Sequence, residues 1–107
     1  MGEPGRTFGP QMARLGDSVG AMPVISVFFG IVIRMYYEDH DPPHFHAEYQ
    51  GQRAKFDLDG KPIAGRIRSA TASRRIAEWA KLHHAALEAN WRNMRAGRPL
   101  DRIEPLN

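Results

Sequence analysis

The stretch His44-Phe45-His46-Ala47-Glu48-Tyr49-Gln50-Gly51-Gln52-Arg53-Ala54-Lys55-Phe56-Asp57 decides the fold. On both sides of Gln50-Gly51, apolar and polar residues alternate with a period of two, the pattern of half-buried strands joined by a two-residue hairpin turn. That turn sets Tyr49 opposite Gln52, Glu48 opposite Arg53, Ala47 opposite Ala54, His46 opposite Lys55, Phe45 opposite Phe56 and His44 opposite Asp57. Phe45, Ala47, Ala54, Phe56 and the following Leu58 then share one side. His44, His46, Glu48, Arg53, Lys55 and Asp57 share the other, and a slip of one residue would mix the two sets.

Upstream, residues 24–37 (VISVFFGIVIRMYY) are β-branched and aromatic, without proline. They read as one strand bent at Gly30, with Ile31, Ile33 and Met35 inward and Val32, Arg34 and Tyr36 outward. Between the strands, Glu38-Asp39-His40-Asp41-Pro42-Pro43 is a polar loop stiffened by its prolines. Downstream, Asp59-Gly60-Lys61-Pro62 reads as a four-residue loop that sets Leu58 opposite Ile63, Phe56 opposite Gly65 and Ala54 opposite Ile67. Across residues 71–96, Ile76, Trp79, Ala80, His83, Leu87, Trp91 and Met94 recur at spacings of three and four, predicting one amphipathic helix. Thr71 or Ser69 caps it, Gly97 and Pro99 stop it, and Leu100, Ile103 and Leu106 offer anchors for a tail lying back along the sheet. The expected fold is α+β: a three- or four-stranded antiparallel β-meander covered on one face by a long C-terminal helix.

A chain of 107 residues has room for one such core. It contains no cysteine, which excludes disulfides and thiolate zinc sites, leaves histidines and carboxylates as the strong metal ligands, and fits a reducing cytoplasm. Residues 1–21 offer no apolar run long enough for a signal peptide or a membrane span. Residues 1–21 carry five of the 10 glycines and two of the 8 prolines without periodicity. They are expected to form a disordered N-terminal extension to a domain of residues 22–107, added by an earlier start codon or by cloning, with Met22-Pro23 resembling a native start. The net charge of +3 is unevenly spread: residues 60–107 hold 10 basic and 4 acidic groups, residues 22–59 hold 3 and 6. The excess permits an anionic partner without establishing one.

Chemically capable side chains are densest in residues 39–48. His44 and His46 project to one strand face with Glu48, so these three could bind zinc or non-heme iron, although the register also offers Asp57 to His44 and Arg53 to Glu48. His40, His44 and His46 are candidates for general acid and base chemistry without a metal, with nearby basic residues to hold a phosphate. The outer sheet face also collects Arg34, Tyr36, Arg53, Lys55 and Arg66, cations interleaved with an aromatic ring as in nucleic-acid binding surfaces. Trp79, Trp91 and His83 belong to the packing stripe, and no nucleophile motif or phosphate-cradling glycine loop is present.

Several blocks resemble a known family: residues 22–36 (MPVISVFFGIVIRMY), Asp39-His40-Asp41-Pro42-Pro43-His44-Phe45-His46, Tyr49 with Gly51, Phe56-Asp57-Leu58-Asp59-Gly60, Glu78-Trp79-Ala80, Asn90-Trp91 and Ile103-Glu104-Pro105-Leu106. They resemble the small bacterial family catalogued as domain of unknown function 4160, over residues 22–106. Relatives commonly have Pro-Arg-Arg where this chain has Ser73-Arg74-Arg75. The resemblance implies a gene arrangement like that of toxin and antitoxin pairs and carries over no catalytic residue. The expectation is a non-enzymatic cytoplasmic module without cofactor or membrane contact. It would engage the small protein encoded by a neighbouring gene, or RNA or DNA, through the open sheet face, with a homodimer left open. The alternatives are a metal-independent ribonuclease-type toxin using the histidine cluster and a histidine and carboxylate metal-binding protein.

Overall fold

The structure, a computed structural model, describes residues 22–107; the expected disorder of residues 1–21 lies outside the described residues. Five strands form one antiparallel sheet in sequence order: β1 (Val24–Phe28), β2 (Ile31–Arg34), β3 (His44–Tyr49), β4 (Gln52–Asp57) and β5 (Pro62–Gly65). Two helices follow, α1 (Ala70–Leu82) and α2 (His84–Arg95). The fold is α+β, with five strands rather than three or four and two helices rather than one.

The central hairpin has the predicted register at all six pairs. Its turn residues Gln50 and Gly51 both take positive φ, 49° and 78°, which matches the twist of the flanking strands. Residues 24–37 do not form one bent strand. Phe29 and Gly30, with φ of 51° and 78°, make a second two-residue turn that folds the segment into the hairpin β1–β2. Phe29 is a bulky residue in the left-handed region, where asparagine, aspartate or glycine is the usual choice. The Arg75 guanidinium lies over its ring at 4.0 Å, a tertiary contact that accompanies the unusual turn.

After β4 the register differs from the expectation: Ala54 faces Gly65, Lys55 faces Ala64 and Phe56 faces Pro62, with an irregularity between Lys55 and Phe56. The cause is Asp57, whose Oδ1 accepts the backbone N–H groups of both Asp59 and Lys61 at 2.9 Å. The Asp57 N–H in turn donates to the Lys61 carbonyl, so the turn closes earlier than a four-residue loop would allow. Arg66 therefore lies beyond β5, its N–H bonded to the Arg53 carbonyl, and not beside Lys55.

Alternation sorts β2, β3 and β4 as expected apart from His44, which is buried, while Ile63 of β5, expected beside Leu58, is exposed. Ile31, Ile33, Met35, Phe45, Ala47, Ala54, Phe56 and Leu58 are buried beneath Ile76, Trp79, Ala80, Leu87, Trp91 and Met94 of the helices. Phe45 stacks on Phe56 and meets Trp79 edge-on, with centroids 5.6 Å apart in each pair. Burying each such side chain contributes about 1.5–3 kcal/mol relative to exposure. Ser69 caps α1, its Oγ accepting the Ala72 N–H at 3.0 Å. The helix is interrupted at His83, which leaves helical geometry (φ −116°, ψ 27°). No glycine or proline marks the break. Beyond it, α2 carries Trp91 against His44 and Arg95 onto Asp41.

The tail closes one edge of the sheet. Buried Ile103 donates its N–H to the Ile25 carbonyl at 2.8 Å, and Trp79 Nε1 donates to the Glu104 carbonyl at 2.8 Å. The other edge, β5, is a four-residue strand beginning with proline. Among the described residues, neither edge offers a long unpaired ladder to a partner. No helix among the described residues is long and apolar enough to cross a membrane.

Candidate functional site

Nine residues, 35–43, join β2 to β3 and return the chain alongside its own departure point. Met35 anchors the start of this loop in the core. Tyr36 stacks on the His46 ring, centroids 4.2 Å apart and planes 20° from parallel. Asp39 N–H donates to the Tyr36 carbonyl at 3.2 Å, a turn that swings the Asp39 carboxylate back towards the strand. The Asp41-Pro42 peptide is cis, and Asp41 receives a hydrogen bond from Arg95 Nη1 at 3.1 Å.

These contacts bring three donors together. Asp39 Oδ2 lies 2.9 Å from His46 Nε2 and 3.1 Å from His44 Nε2. One ligand atom from each of Asp39, His44 and His46 falls within 4.8 Å of the other two. Neighbouring donors on a metal at bond lengths of about 2.0–2.2 Å are separated by roughly 3.0–3.5 Å. The Asp39–His44 spacing falls in that range, and the Asp39–His46 spacing, a hydrogen bond of 2.9 Å, is just short of it.

The protonation pattern points the same way. His44 Nδ1 donates to the Pro42 carbonyl at 2.7 Å. In the neutral ring this leaves Nε2 as a lone pair, facing a carboxylate oxygen that is also an acceptor. The His44 side chain is only 7% exposed, and its Nε2 has no hydrogen-bond partner among the described residues. A buried acceptor aimed at an acceptor is costly unless a cation lies between them. A ring nitrogen fixed by a backbone carbonyl while the other coordinates is also the usual outer support of a metal-bound histidine. His46 is held below its ordinary pKa of 6.5, first by burial. The Asp39 hydrogen bond and charge oppose that effect, while the charges of His44 and Lys55 add to it. The neutral ring is the form that can ligate.

The expected ligand Glu48 is not in this group. It sits opposite Arg53 in register but pairs with Arg34, Oε2 to Nε at 3.3 Å. Asp57 is likewise opposite His44 but its Oδ1 is turned to backbone N–H groups. The third donor therefore comes from the loop and not from the strand, a position that period-two alternation cannot reveal. His40 is exposed and lines the adjoining cleft of about 190 Å³ with Asp41, Lys55 and Ile63. It is not within the donor set. His44 is wedged against Trp91 at 5.4 Å between ring centroids.

The expected nucleic-acid surface is divided. Arg34 is committed to Glu48 and to the Met22 carbonyl (Nη1, 2.8 Å), and the Tyr36 ring to His46. Arg53, Lys55 and Arg66 remain exposed.

The sequence model of a family described as Domain of unknown function (DUF4160) matches residues 30–92, a span that includes Asp39, His44 and His46. No curated protein and no solved structure matches the chain.

Proposed function

Since the chain belongs to this family, the domain of unknown function 4160, whose description names no activity, we propose from its geometry that the protein binds a divalent transition metal through Asp39, His44 and His46. The observation that carries this reading is the buried His44 Nε2, left without a hydrogen-bond partner while its Nδ1 is tied to Pro42. Two imidazoles and one carboxylate favour zinc or iron(II) over calcium or magnesium, which prefer all-oxygen sites. Three protein ligands leave further coordination positions open, the arrangement of reactive rather than purely structural metal sites. The test is equilibrium dialysis of chelator-stripped protein against zinc and iron(II), with metal content measured by elemental analysis. Stoichiometric uptake that is lost in His46→Ala supports the proposal. Absence of uptake by the folded protein overturns it.

A second reading keeps the outer sheet face as a docking surface for nucleic acid, favoured by the exposure of Arg53 and Lys55 on β4, and of Arg66 just beyond β5, in a sheet whose other face is covered. Three phosphate contacts give a slope of log affinity against log salt of about −2 to −3. Binding that does not vary with salt overturns this reading. A protein partner encoded by a neighbouring gene, as in toxin and antitoxin pairs, is supported by the resemblance alone.

A further inference from the structure

We infer that the open side of this metal site takes a small oxyanion, one oxygen on the metal and another on the ammonium group of Lys55. The inference rests on the proposed metal site and adds to it the chemical class of the ligand. All three donors come from residues 39–46, on one side of the site, and the adjoining cleft is lined by Asp39 and His44 together with Lys55 and His40. Lys55 faces His46 directly across the β3–β4 ladder and is exposed.

Charge then selects the ligand. A divalent ion with two neutral imidazoles and one carboxylate keeps a net charge of +1, and Lys55 adds a second positive charge on the same cleft. Of the cleft carboxylates, Asp39 is a metal ligand and Asp41 is answered by Arg95 at 3.1 Å. Glu48 and Asp57, the nearest carboxylates on β3 and β4, are occupied by Arg34 and by backbone N–H groups. The positive cleft is therefore completed by an anion from outside, and a ligand with two oxygens on one centre can satisfy the metal and the ammonium together. Phosphoryl and carboxylate groups both meet that description.

The test uses the full chain loaded with cobalt(II), whose visible absorption responds to its ligands. Inorganic phosphate and acetate are titrated separately, with perchlorate as the control for ionic strength. Saturable spectral change with phosphate, acetate or both, but not perchlorate, is expected. The group that titrates identifies the oxyanion. In Lys55→Gln the affinity for that anion should fall about 10- to 100-fold, while cobalt stoichiometry stays that of the unaltered protein. A spectrum indifferent to both anions, or equal anion affinity in Lys55→Gln, overturns the oxyanion inference and leaves the metal site standing. Failure of the folded protein to take up cobalt overturns both.

Discussion

His44 donates its Nδ1–H to the carbonyl of Pro42, two residues away, over 2.7 Å. In the neutral ring that short bond makes Nε2 the lone-pair nitrogen, and it exists because the loop's prolines bring a carbonyl beneath the first residue of β3. The carboxylate opposite the free nitrogen belongs to Asp39, and the comparison between Asp39 and Glu48 becomes a direct test of the site.

Asp39→Asn keeps the shape of the side chain and removes its charge. Zinc affinity should fall by more than the roughly 10–100-fold that loss of an outer supporting group costs a metal site. Glu48→Gln, two residues beyond His46 and in the parent ion-paired with Arg34, should leave zinc affinity within about twofold of the parent. Competition titrations against a chromophoric chelator measure both; equal losses in the two variants would contradict the assignment of Asp39.

The pH dependence of the metal-free protein follows from His46. Its folded pKa lies below 6.5, so the unfolded chain takes up the proton first as pH falls. The stability contributed by the neutral ring is complete above pH 6.5 and is lost as pH drops through the depressed folded value. Urea midpoints should be flat between about pH 8 and 7 and then decline. His46→Gln should make the first part of that decline shallower, because the glutamine has no proton to take up. The neighbours that set this behaviour are Asp39, His44 and Lys55, and a decline of the same steepness in His46→Gln would assign it to another group.

Gly60 marks the point where the β4–β5 turn touches helix α1. A Cβ there would stand 2.6 Å from Ala77 Cα, and φ is +87°. At Gly51 φ is +78° but nothing lies within 4 Å of the added atom. Gly51→Ala should therefore cost about 1–2 kcal/mol for the backbone alone. Gly60→Ala should cost that amount and a further ~1–3 kcal/mol for overpacking. Equilibrium unfolding in urea gives both values, and equal losses would mean that the turn moves freely away from the helix.

Asn90 is buried and holds the tail with two bonds of 2.8 Å, donating to the Asp101 carbonyl and accepting the Asp101 N–H. Asn90→Ala should destabilise the domain by about 1–3 kcal/mol. It should also speed hydrogen exchange at the Ile103 amide, which bonds to Ile25. Unchanged exchange at Ile103 would show that Trp79 and Glu104 hold the tail without Asn90.

Much of the fold is legible in residue order because alternation is a local signal. The turn at Gln50-Gly51 reveals itself through the clean sorting of Phe45, Ala47, Ala54 and Phe56 on either side. The turn at Phe29-Gly30 has nearly the same φ angles but is hidden, since phenylalanine is not a turn residue and its guanidinium neighbour is Arg75, far along the chain. His83 breaks the helix without glycine or proline, at a place where the apolar stripe runs on uninterrupted. Two members of the donor set, His44 and His46, follow from alternation. Asp39 does not, because its direction depends on the course of a nine-residue loop and on the ring of Tyr36 over His46.

Asp39, His44 and His46 lie within eight consecutive residues, and this compactness changes what metal would do to folding. Closing so short a loop costs little chain entropy, so an unfolded chain could also capture the ion, more weakly, with the same three side chains. Metal that binds both states raises the melting temperature by less than its affinity for the native state alone would give. A modest thermal shift beside tight binding would therefore be the signature of a site assembled locally, one that the chain could begin to form before the sheet around it is complete.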